Sequence, residues 1–190
     1  MENQIKKLSD THTWEKVTLP TGKRAIPCKW VFSYKNGVQT SGDSVMLESA
    51  RLVARGDLQR AGIDYGETYG TVVKLVFLRL LLAVAAICEI PLTHWDIIAA
   101  FWNGHLEEVV YMLQPPGMDD GSGLVLLLHT SIYGLCQSAG AFFNCLDKIM
   151  EELGWKRLHA EWAIWISSDK KSFVACYVDD ILVGTSEEIK

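Results

Sequence analysis

The chain has 190 residues, a formal net charge of −5 at pH 7 and 49% hydrophobic residues. This apolar fraction excludes an intrinsically disordered protein and is sufficient for one sizeable domain or two small ones. The acidic balance argues against a polyanion-binding surface spread over the whole molecule, but it allows a local basic patch. We expect that patch in the N-terminal half, because residues 21–60 contain seven basic side chains and only three acidic ones.

Cysteine usage and the N-terminus indicate an intracellular protein. The five cysteines form no Cys-x-x-Cys pair and show no zinc-ligand spacing with the histidines, so they are expected to be reduced. Residues 1–10 are charged and lack the apolar segment of a signal peptide. The longest apolar stretch, residues 75–88, contains Arg79 and is too short to span a bilayer. No membrane association is therefore expected.

The N-terminal third reads as β-structure. Strands are predicted at residues 17–19 and 26–34, and Asn36-Gly37 is a typical hairpin turn. A further strand at 51–55 would place Arg51 and Arg55 on one face and Leu52 on the other. Two interpretations of the arginines stay open: a pair of solvated surface side chains, or a clamp whose guanidinium groups bind phosphate.

The middle of the chain alternates helices and strands. Apolar spacing predicts helices at 75–88 and 141–153, and strands are predicted at 92–98, 109–112, 124–128 and 162–166. The polar face of the second helix would carry Asp147, Lys148, Glu151 and Glu152. A short helical stretch is expected at 99–101. Asp96 lies among apolar neighbours, so it either ends its strand in water or is neutralised by a cation. These elements together predict an α+β fold.

Two adjacent carboxylates, Asp179 and Asp180, interrupt an apolar run near the end of the chain. β-branched and aromatic residues flank them on both sides, which predicts two strands joined by a tight acidic turn. Neighbouring like charges repel unless a cation lies between them, and a divalent metal is the simplest such cation. The alternative is a solvated hairpin tip, since acidic residues are common in turns.

A set of sequence blocks in a fixed order resembles the reverse transcriptase of copia-type LTR retrotransposons. Its most specific members are Tyr-Val-Asp-Asp at 177–180 and His-Trp-Asp-Ile-Ile-Ala-Ala-Phe-Trp-Asn-Gly at 94–104. The other blocks are residues 29–32, 50–56, 62–65, 67–74, 106–112, 114–117 and 131–135. The resemblance runs from about residue 14 to residue 184.

The resemblance implies a right-hand polymerase in which fingers and palm are interleaved along the chain, with an antiparallel palm sheet and packed helices. Residues 14–190 would form the reverse transcriptase domain and residues 1–13 an N-terminal extension. Because only ten residues follow Asp180, the thumb and RNase H segments of such polyproteins are expected to be absent. The second strand of the acidic hairpin is then a candidate sheet edge.

The resemblance also implies site residues and ligands. Asp96, Asp179 and Asp180 would be the catalytic carboxylates that hold two Mg²⁺ ions, with Mn²⁺ as an alternative. The expected partners are a primed RNA or DNA template and deoxynucleoside triphosphates. The implied nucleotide-binding residues are Arg51, Arg55 and the aromatic steric gate Phe101, for which a plain core role is the alternative. The implied substrate-binding residues are Tyr133, Gly134 and Gln137.

Several positions depart from the family pattern. A basic residue is usual where the chain has Ser49, Ile98, Cys136 and Gly140, and an aromatic or apolar residue is usual at Asp57. Each change lowers local positive charge, which weakens phosphate binding. Two hypotheses follow: an RNA-directed DNA polymerase module of a cytoplasmic virus-like particle, or an inactive retrotransposon-derived fragment that binds nucleic acid weakly at most.

Overall fold

A computed structural model of the chain describes residues 1–38, 44–66, 68 and 70–185. The sequence block 67–74 is described only in part, since Glu67 and Tyr69 lie outside these residues. The chain divides into two compact units, each built from two separate stretches. The first unit comprises Met1–Thr68 and His105–Ser138, and the second comprises Tyr69–Gly104 and Ala139–Lys190.

Helices and strands are mixed in the described residues, which confirms the α+β prediction. The α-helices are α1 (Glu2–Asp10), α2 (Leu75–Ile87) and α3 (Ser138–Glu152), and short 3₁₀ helices span Gly56–Leu58 and Ala100–Asn103. The strands are β1 (Trp14–Val17), β2 (Ala25–Ile26), β3 (Cys28–Val38), β4 (Ser44–Ala54), β5 (Leu92–Asp96), β6 (His105–Met112), β7 (Val125–Thr130), β8 (Lys156–Leu158), β9 (Glu161–Ile166), β10 (Phe173–Tyr177) and β11 (Asp180–Gly184).

The first unit contains a four-stranded sheet in the order β1-β7-β6-β2 and the separate β3-β4 hairpin. Helix α1 contacts β4, where the side-chain carbonyl of Gln4 accepts the Leu52 amide at 2.8 Å. Leu8 of α1 and Leu52 of β4 are each only 1% exposed. Helix α1 therefore packs on β4 and buries Leu8 in this unit.

The β3-β4 hairpin does not turn at Asn36-Gly37, so that prediction was wrong. These two residues belong to β3, where Asn36 pairs with Met46 and Gly37 with Val45. The pairing continues to Val38 and Ser44, and the connection between those residues lies outside the described part of the chain. Continuous pairing with the partner strand overrides the local turn preference of Asn-Gly.

The second unit contains a five-stranded sheet in the order β5-β11-β10-β9-β8. Strand β11 lies between β5 and β10, so the expectation that the hairpin's second strand forms a sheet edge was wrong. The long-range pairing with β5 supplies the neighbour that the sequence did not reveal. The hydrophobic core of this unit joins α3 to the sheet, with Phe142, Leu146, Ile164, Trp165 and Ile181 among its buried residues.

Helix α2 is apolar on all sides, and much of it is exposed. Phe77, Leu78 and Leu81 pack against the core of the second unit, whereas Leu80 and Ile87 are 56% and 81% exposed. Among the described residues, no helix is both long enough and apolar enough to cross a membrane.

One polar side chain of α3 faces inward against the sequence-based expectation. The amphipathic pattern assigned Asp147 to the solvent face, but its carboxylate is only 13% exposed. Its Oδ1 accepts hydrogen bonds from Arg157 Nε and from the Trp165 indole, each at 2.9 Å. The Arg157 guanidinium pairs with Oδ2 as well and lies 5.4 Å from the Phe143 ring centroid. Asp147 therefore ties α3 to β8 and β9.

Replacing Asp147 by Ala should destabilise the second unit by about 2–4 kcal/mol, because it leaves the buried indole N–H and a partly buried guanidinium without their acceptor. Urea unfolding followed by tryptophan fluorescence measures the effect. The matched control is Glu151→Ala, an exposed carboxylate on the same helix, which should cost less than about 0.5 kcal/mol. Equal effects of the two substitutions would contradict the role given to Asp147.

Candidate functional site

The pairing of β5 with β11 brings two of the predicted carboxylates together. Asp96 ends β5, Asp180 begins β11, and the two are direct cross-strand partners in the antiparallel register. Directly opposed residues point to the same face of a sheet, with Cβ atoms about 4.5–5.5 Å apart. Both side chains are exposed. Two residues far apart in sequence thus form an acidic pair at one end of the sheet.

The third carboxylate lies in the turn that joins β10 to β11. Tyr177 pairs with Asp180, so the two turn residues are Val178 and Asp179 rather than the predicted Asp179 and Asp180. Val178 has a φ of 56°, which is unfavourable for a β-branched residue and matches the first central position of a type II′ turn. The Asp179 carbonyl accepts the Ile97 amide at 2.8 Å. This bond fixes the turn beside the end of β5.

His94 is a neighbour of the acidic pair that sequence reasoning missed. Its Nε2 lies 2.7 Å from Asp180 Oδ1, and both side chains are exposed, by 62% and 58%. The signal was present in the sequence, because residues two apart on a strand share a face and His94 precedes Asp96 by two. A single strand could not show, however, that the imidazole would reach Asp180.

The aspartates suit a divalent cation in residue type. Mg²⁺ prefers carboxylate oxygens and commonly uses one or two of them together with substrate phosphates. The register places Asp96 and Asp180 side by side, with Asp179 next in the turn. Within the described part of the chain, no three His, Cys, Asp or Glu side chains are arranged as a metal site. The backbone therefore gathers suitable ligands, whose side chains are not oriented around a common point.

Cys176 lies under the acidic turn. It is buried at 1% exposure, and its Sγ lies 3.4 Å from the Val178 carbonyl oxygen. Burial, with smaller contributions from the negative charges of Asp179 and Asp180, raises the pKa of the thiol to about 12. The thiol therefore stays neutral at physiological pH, and a charged thiolate does not add to the two carboxylates.

Phe101 lies in the 3₁₀ helix Ala100–Asn103, immediately after β5. Its half-buried ring packs edge-on against Phe142, with the centroids 6.5 Å apart and the planes at 78°. The neighbouring Ala100 is fully buried. This environment agrees with a core role for the ring, and its role as a steric gate stays a prediction.

The predicted nucleotide-binding arginines lie in the first unit. Arg51 is exposed on β4 while Leu52 and Ala54 are buried, which confirms the predicted alternation. The Arg51 guanidinium lies 4.4 Å from the centroid of the Tyr133 ring, within the range of a cation–π contact. The Arg55 guanidinium is bound by Asp57 through two short bonds, 2.8 Å from Nε to Oδ1 and 2.7 Å from Nη2 to Oδ2.

The segment that contains Tyr133, Gly134 and Gln137 packs against the end of β4. The Tyr133 carbonyl accepts the Ala54 amide at 2.8 Å. Gly134 has a φ of 92°, and a Cβ there would collide with the Ala54 carbonyl oxygen. A side chain at this position would therefore push the segment away from the strand.

Gln137 is buried, and its side-chain amide is hydrogen-bonded within the first unit. It is 3% exposed, and its Oε1 accepts a hydrogen bond from Gln59 Nε2 at 3.0 Å. Its own Nε2 donates to the Asp64 carbonyl at 3.3 Å. These bonds hold the loop after the Gly56–Leu58 turn in place, and they occupy the amide that was predicted to contact substrate.

The candidate residues thus divide between the two units. Asp96, Phe101, Asp179 and Asp180 belong to the second unit, whereas Arg51, Arg55, Tyr133, Gly134 and Gln137 belong to the first.

Comparison with known proteins gives a consistent result. A family model described as reverse transcriptase (RNA-dependent DNA polymerase) matches residues 11–190. The retrovirus-related Pol polyprotein from transposon TNT 1-94 of Nicotiana tabacum is 32% identical over 96% of the chain, and that from transposon RE1 of Arabidopsis thaliana is 35% identical over 96%. The corresponding protein from transposon RE2 of Arabidopsis thaliana is 33% identical over 100%. The chain spans only 14%, 13% and 13% of these relatives' lengths.

The close contact at Gly134 predicts an unusually costly substitution. Gly134→Ala should destabilise the first unit by about 2 kcal/mol more than Gly62→Ala, because both positions have positive φ but only Gly134 faces a backbone collision. Gly62 has a φ of 75°, and no atom lies within 4 Å of the place that a Cβ would take. Gly62→Ala therefore measures the cost of placing alanine at a positive φ without any collision. Chemical denaturation of both variants measures their free energies of unfolding. An equal decrease in the two variants would contradict the close contact at Gly134.

The buried thiol predicts a pH dependence. Burial raises the pKa of the Cys176 thiol to about 12 in the folded protein, whereas an unfolded thiol has a pKa of about 8.5. The neutral thiol therefore contributes fully to the stability of the fold below about pH 8.5. This contribution is lost as the pH rises toward the folded pKa. Unfolding free energies measured at pH 8 and pH 10 should therefore fall less in Cys176→Ala than in the parent. The exposed Cys88→Ala control should leave the fall unchanged. A fall that is unaltered in Cys176→Ala would contradict the assignment.

Proposed function

The chain belongs to the reverse transcriptase (RNA-dependent DNA polymerase) family, and on that premise we propose that it is the nucleotidyl-transfer module of a copia-type transposon polyprotein. It would copy an RNA or DNA template by adding deoxynucleotides to a primer 3′-hydroxyl. The observation that carries the proposal is the register that sets Asp96 opposite Asp180, with Asp179 in the adjoining turn.

In this proposal the three aspartates hold two divalent cations, Mg²⁺ or alternatively Mn²⁺. When bound, such ions supply the positive charge that activates the primer hydroxyl and neutralises the triphosphate. The chain's own contribution is to place carboxylate oxygens at an exposed end of a rigid sheet. The bond from Ile97 to the Asp179 carbonyl and the pairing of β11 on both sides support that rigidity.

Two of the remaining candidates, Arg51 and Phe101, take substrate-facing roles in this proposal. Arg51, exposed on β4 and stacked on Tyr133, would contact the triphosphate, and Phe101 would exclude a ribose 2′-hydroxyl. The β3-β4 hairpin and its basic face would form the fingers, and the sheet that carries the aspartates would form the palm. Residues 14–190 would constitute the domain, with the N-terminal helix as an addition to it.

We further propose that the module works within a longer polyprotein. The matched relatives are Pol polyproteins of which the chain spans 14% or less. Thumb and RNase H segments of that polyprotein would be the partners that grip and process the template duplex. A cytoplasmic virus-like particle would be the compartment.

An inactive fragment is the second candidate, and two contacts favour it. Asp180 is engaged by His94 at 2.7 Å, and Arg55 is engaged by Asp57. Each contact occupies a group that the family resemblance assigns to metal or nucleotide binding. The reduced positive charge at Ser49, Cys136 and Gly140 acts in the same direction, because phosphate affinity falls with each cation that is lost.

Primer extension on poly(rA)/oligo(dT) with Mg²⁺ at low salt tests the enzyme proposal. The parent should extend the primer, and Asp179→Asn should lower the rate by about 100-fold or more, because losing a metal ligand removes several kcal/mol of transition-state stabilisation. Glu152→Gln, the same charge change at an exposed residue of α3, should leave the rate unchanged.

Extension that survives Asp179→Asn would refute the assignment of the carboxylates. If neither the folded parent nor any variant extends the primer, the result supports the inactive-fragment proposal. Circular dichroism of each sample establishes that the proteins compared are folded.

A further inference from the structure

Outside the acidic site, Arg55 forms a bidentate ion pair with Asp57. Both bonds of the guanidinium fork are formed, from Nε to Oδ1 and from Nη2 to Oδ2. The pair lies where β4 passes into the 3₁₀ helix Gly56–Leu58, and its side chains are 39% and 59% exposed. An arginine on a basic face is thus already bound by a neighbouring anion.

We propose that Asp57 occupies the Arg55 guanidinium in place of a phosphate group, which leaves Arg51 as the guanidinium of this face that receives a polyphosphate ligand. The ligand class rests on the proposed function, whereas the pairing itself does not. Carboxylate and phosphate oxygens fit the same planar fork of N–H donors, so the two anions compete for one partner.

The backbone on either side of Asp57 is fixed by contacts with the segment that follows Tyr133. Gly56, between the two residues, is buried, and a Cβ there would collide with the Gly134 carbonyl oxygen. Gln59, just after the 3₁₀ helix, is fixed by the Cys136 amide, which donates to its Oε1 at 2.8 Å. A turn anchored at both points fixes the backbone of Asp57 two residues after Arg55, within reach of its guanidinium.

The charges of the pair reinforce each other. Hydrogen bonding from Arg55 lowers the pKa of the Asp57 carboxyl, and Lys29 adds a smaller electrostatic contribution in the same direction. Hydrogen bonding to Asp57 raises the pKa of Arg55. Exposed ion pairs are usually weak, but a bidentate arginine–carboxylate pair is the geometry in which they count. Asp57 stays ionised and bound at neutral pH.

Arg51 differs from Arg55 in its surroundings. Its guanidinium stacks over the Tyr133 ring at 4.4 Å and forms no ion pair with any side chain that the structure describes. Stacking on a ring uses the face of the guanidinium and leaves its N–H edge for hydrogen bonding. Arg51 is therefore oriented for an anion, whereas Arg55 has to exchange one anion for another.

Tripolyphosphate binding, measured by calorimetry at low salt, tests this assignment. Asp57→Asn should tighten binding by about two- to fivefold, the range set by the strength of exposed ion pairs. The substitution is made again in an Arg55→Gln background, where the gain should fall to that of a control. The control is Glu107→Gln, which removes the same charge from an exposed position of β6 in the same unit.

A second readout follows the two guanidinium groups directly. In ¹⁵N spectra of the parent, tripolyphosphate should shift the Arg51 Nε resonance and leave that of Arg55 nearly unmoved. In Asp57→Asn both resonances should move. Because Arg51→Gln removes the open guanidinium, it should weaken binding to the parent.

The proposal would be overturned by no gain in affinity from Asp57→Asn, by an equal gain in the Arg55→Gln background, or by an Arg55 resonance that moves first in the parent. Absence of tripolyphosphate binding in every variant would overturn it too. Primer extension judges the enzyme proposal separately, since a silent polymerase that still shows the predicted binding pattern would refute only the activity.

Discussion

Antiparallel pairing between β5 and β11 is the constraint on which the candidate site depends. Strand side chains alternate between faces, so a slip of one residue in β11 would move Asp180 to the face on which Ile181 now lies opposite Trp95. Ile181 is buried at 7% exposure, which makes a charged residue on that face costly. Burial of the core face therefore fixes the position of the carboxylates on the other face.

The same sheet explains why an unfavourable turn residue is tolerated. Val178 adopts a positive φ, a conformation that costs a β-branched residue about 1–3 kcal/mol. β11 is paired on both sides, and the turn is also held by the bond from Ile97 to Asp179. The extended pairing around the turn outweighs the local preference and keeps the acidic residues at the sheet end.

Local patterns in the sequence predicted much of the fold. The apolar spacing of α3 and the alternation at Arg51 and Leu52 depend on nearest neighbours along the chain, and both were observed. The sequence blocks predicted the family, which the comparisons confirmed. The resemblance implied that Asp96 would converge with Asp179 and Asp180 of the acidic hairpin, and the register places Asp96 opposite Asp180.

Features that depend on contacts between residues far apart in the sequence could not be predicted from local patterns. Asp147 was assigned to solvent because its helical position is polar, and its acceptor role for Arg157 and Trp165 appears only when β8 and β9 are in place. The interior position of β11 likewise depends on β5. Gln137 and His94 are further cases, because the sequence shows a polar residue at each position but not the residue to which it bonds.

The interleaving of the two units has a consequence for how the chain folds as it is synthesised. Strand β1 pairs with β7, where Trp14 faces Leu128, and β5 pairs with β11, so each early strand waits for a late one. Neither unit is continuous in sequence, so neither can complete its core while the ribosome is still making the first half. A nascent chain would expose the unpaired edge of β1 until β7 is made and that of β5 until β11 is made, and in that interval aggregation competes with folding.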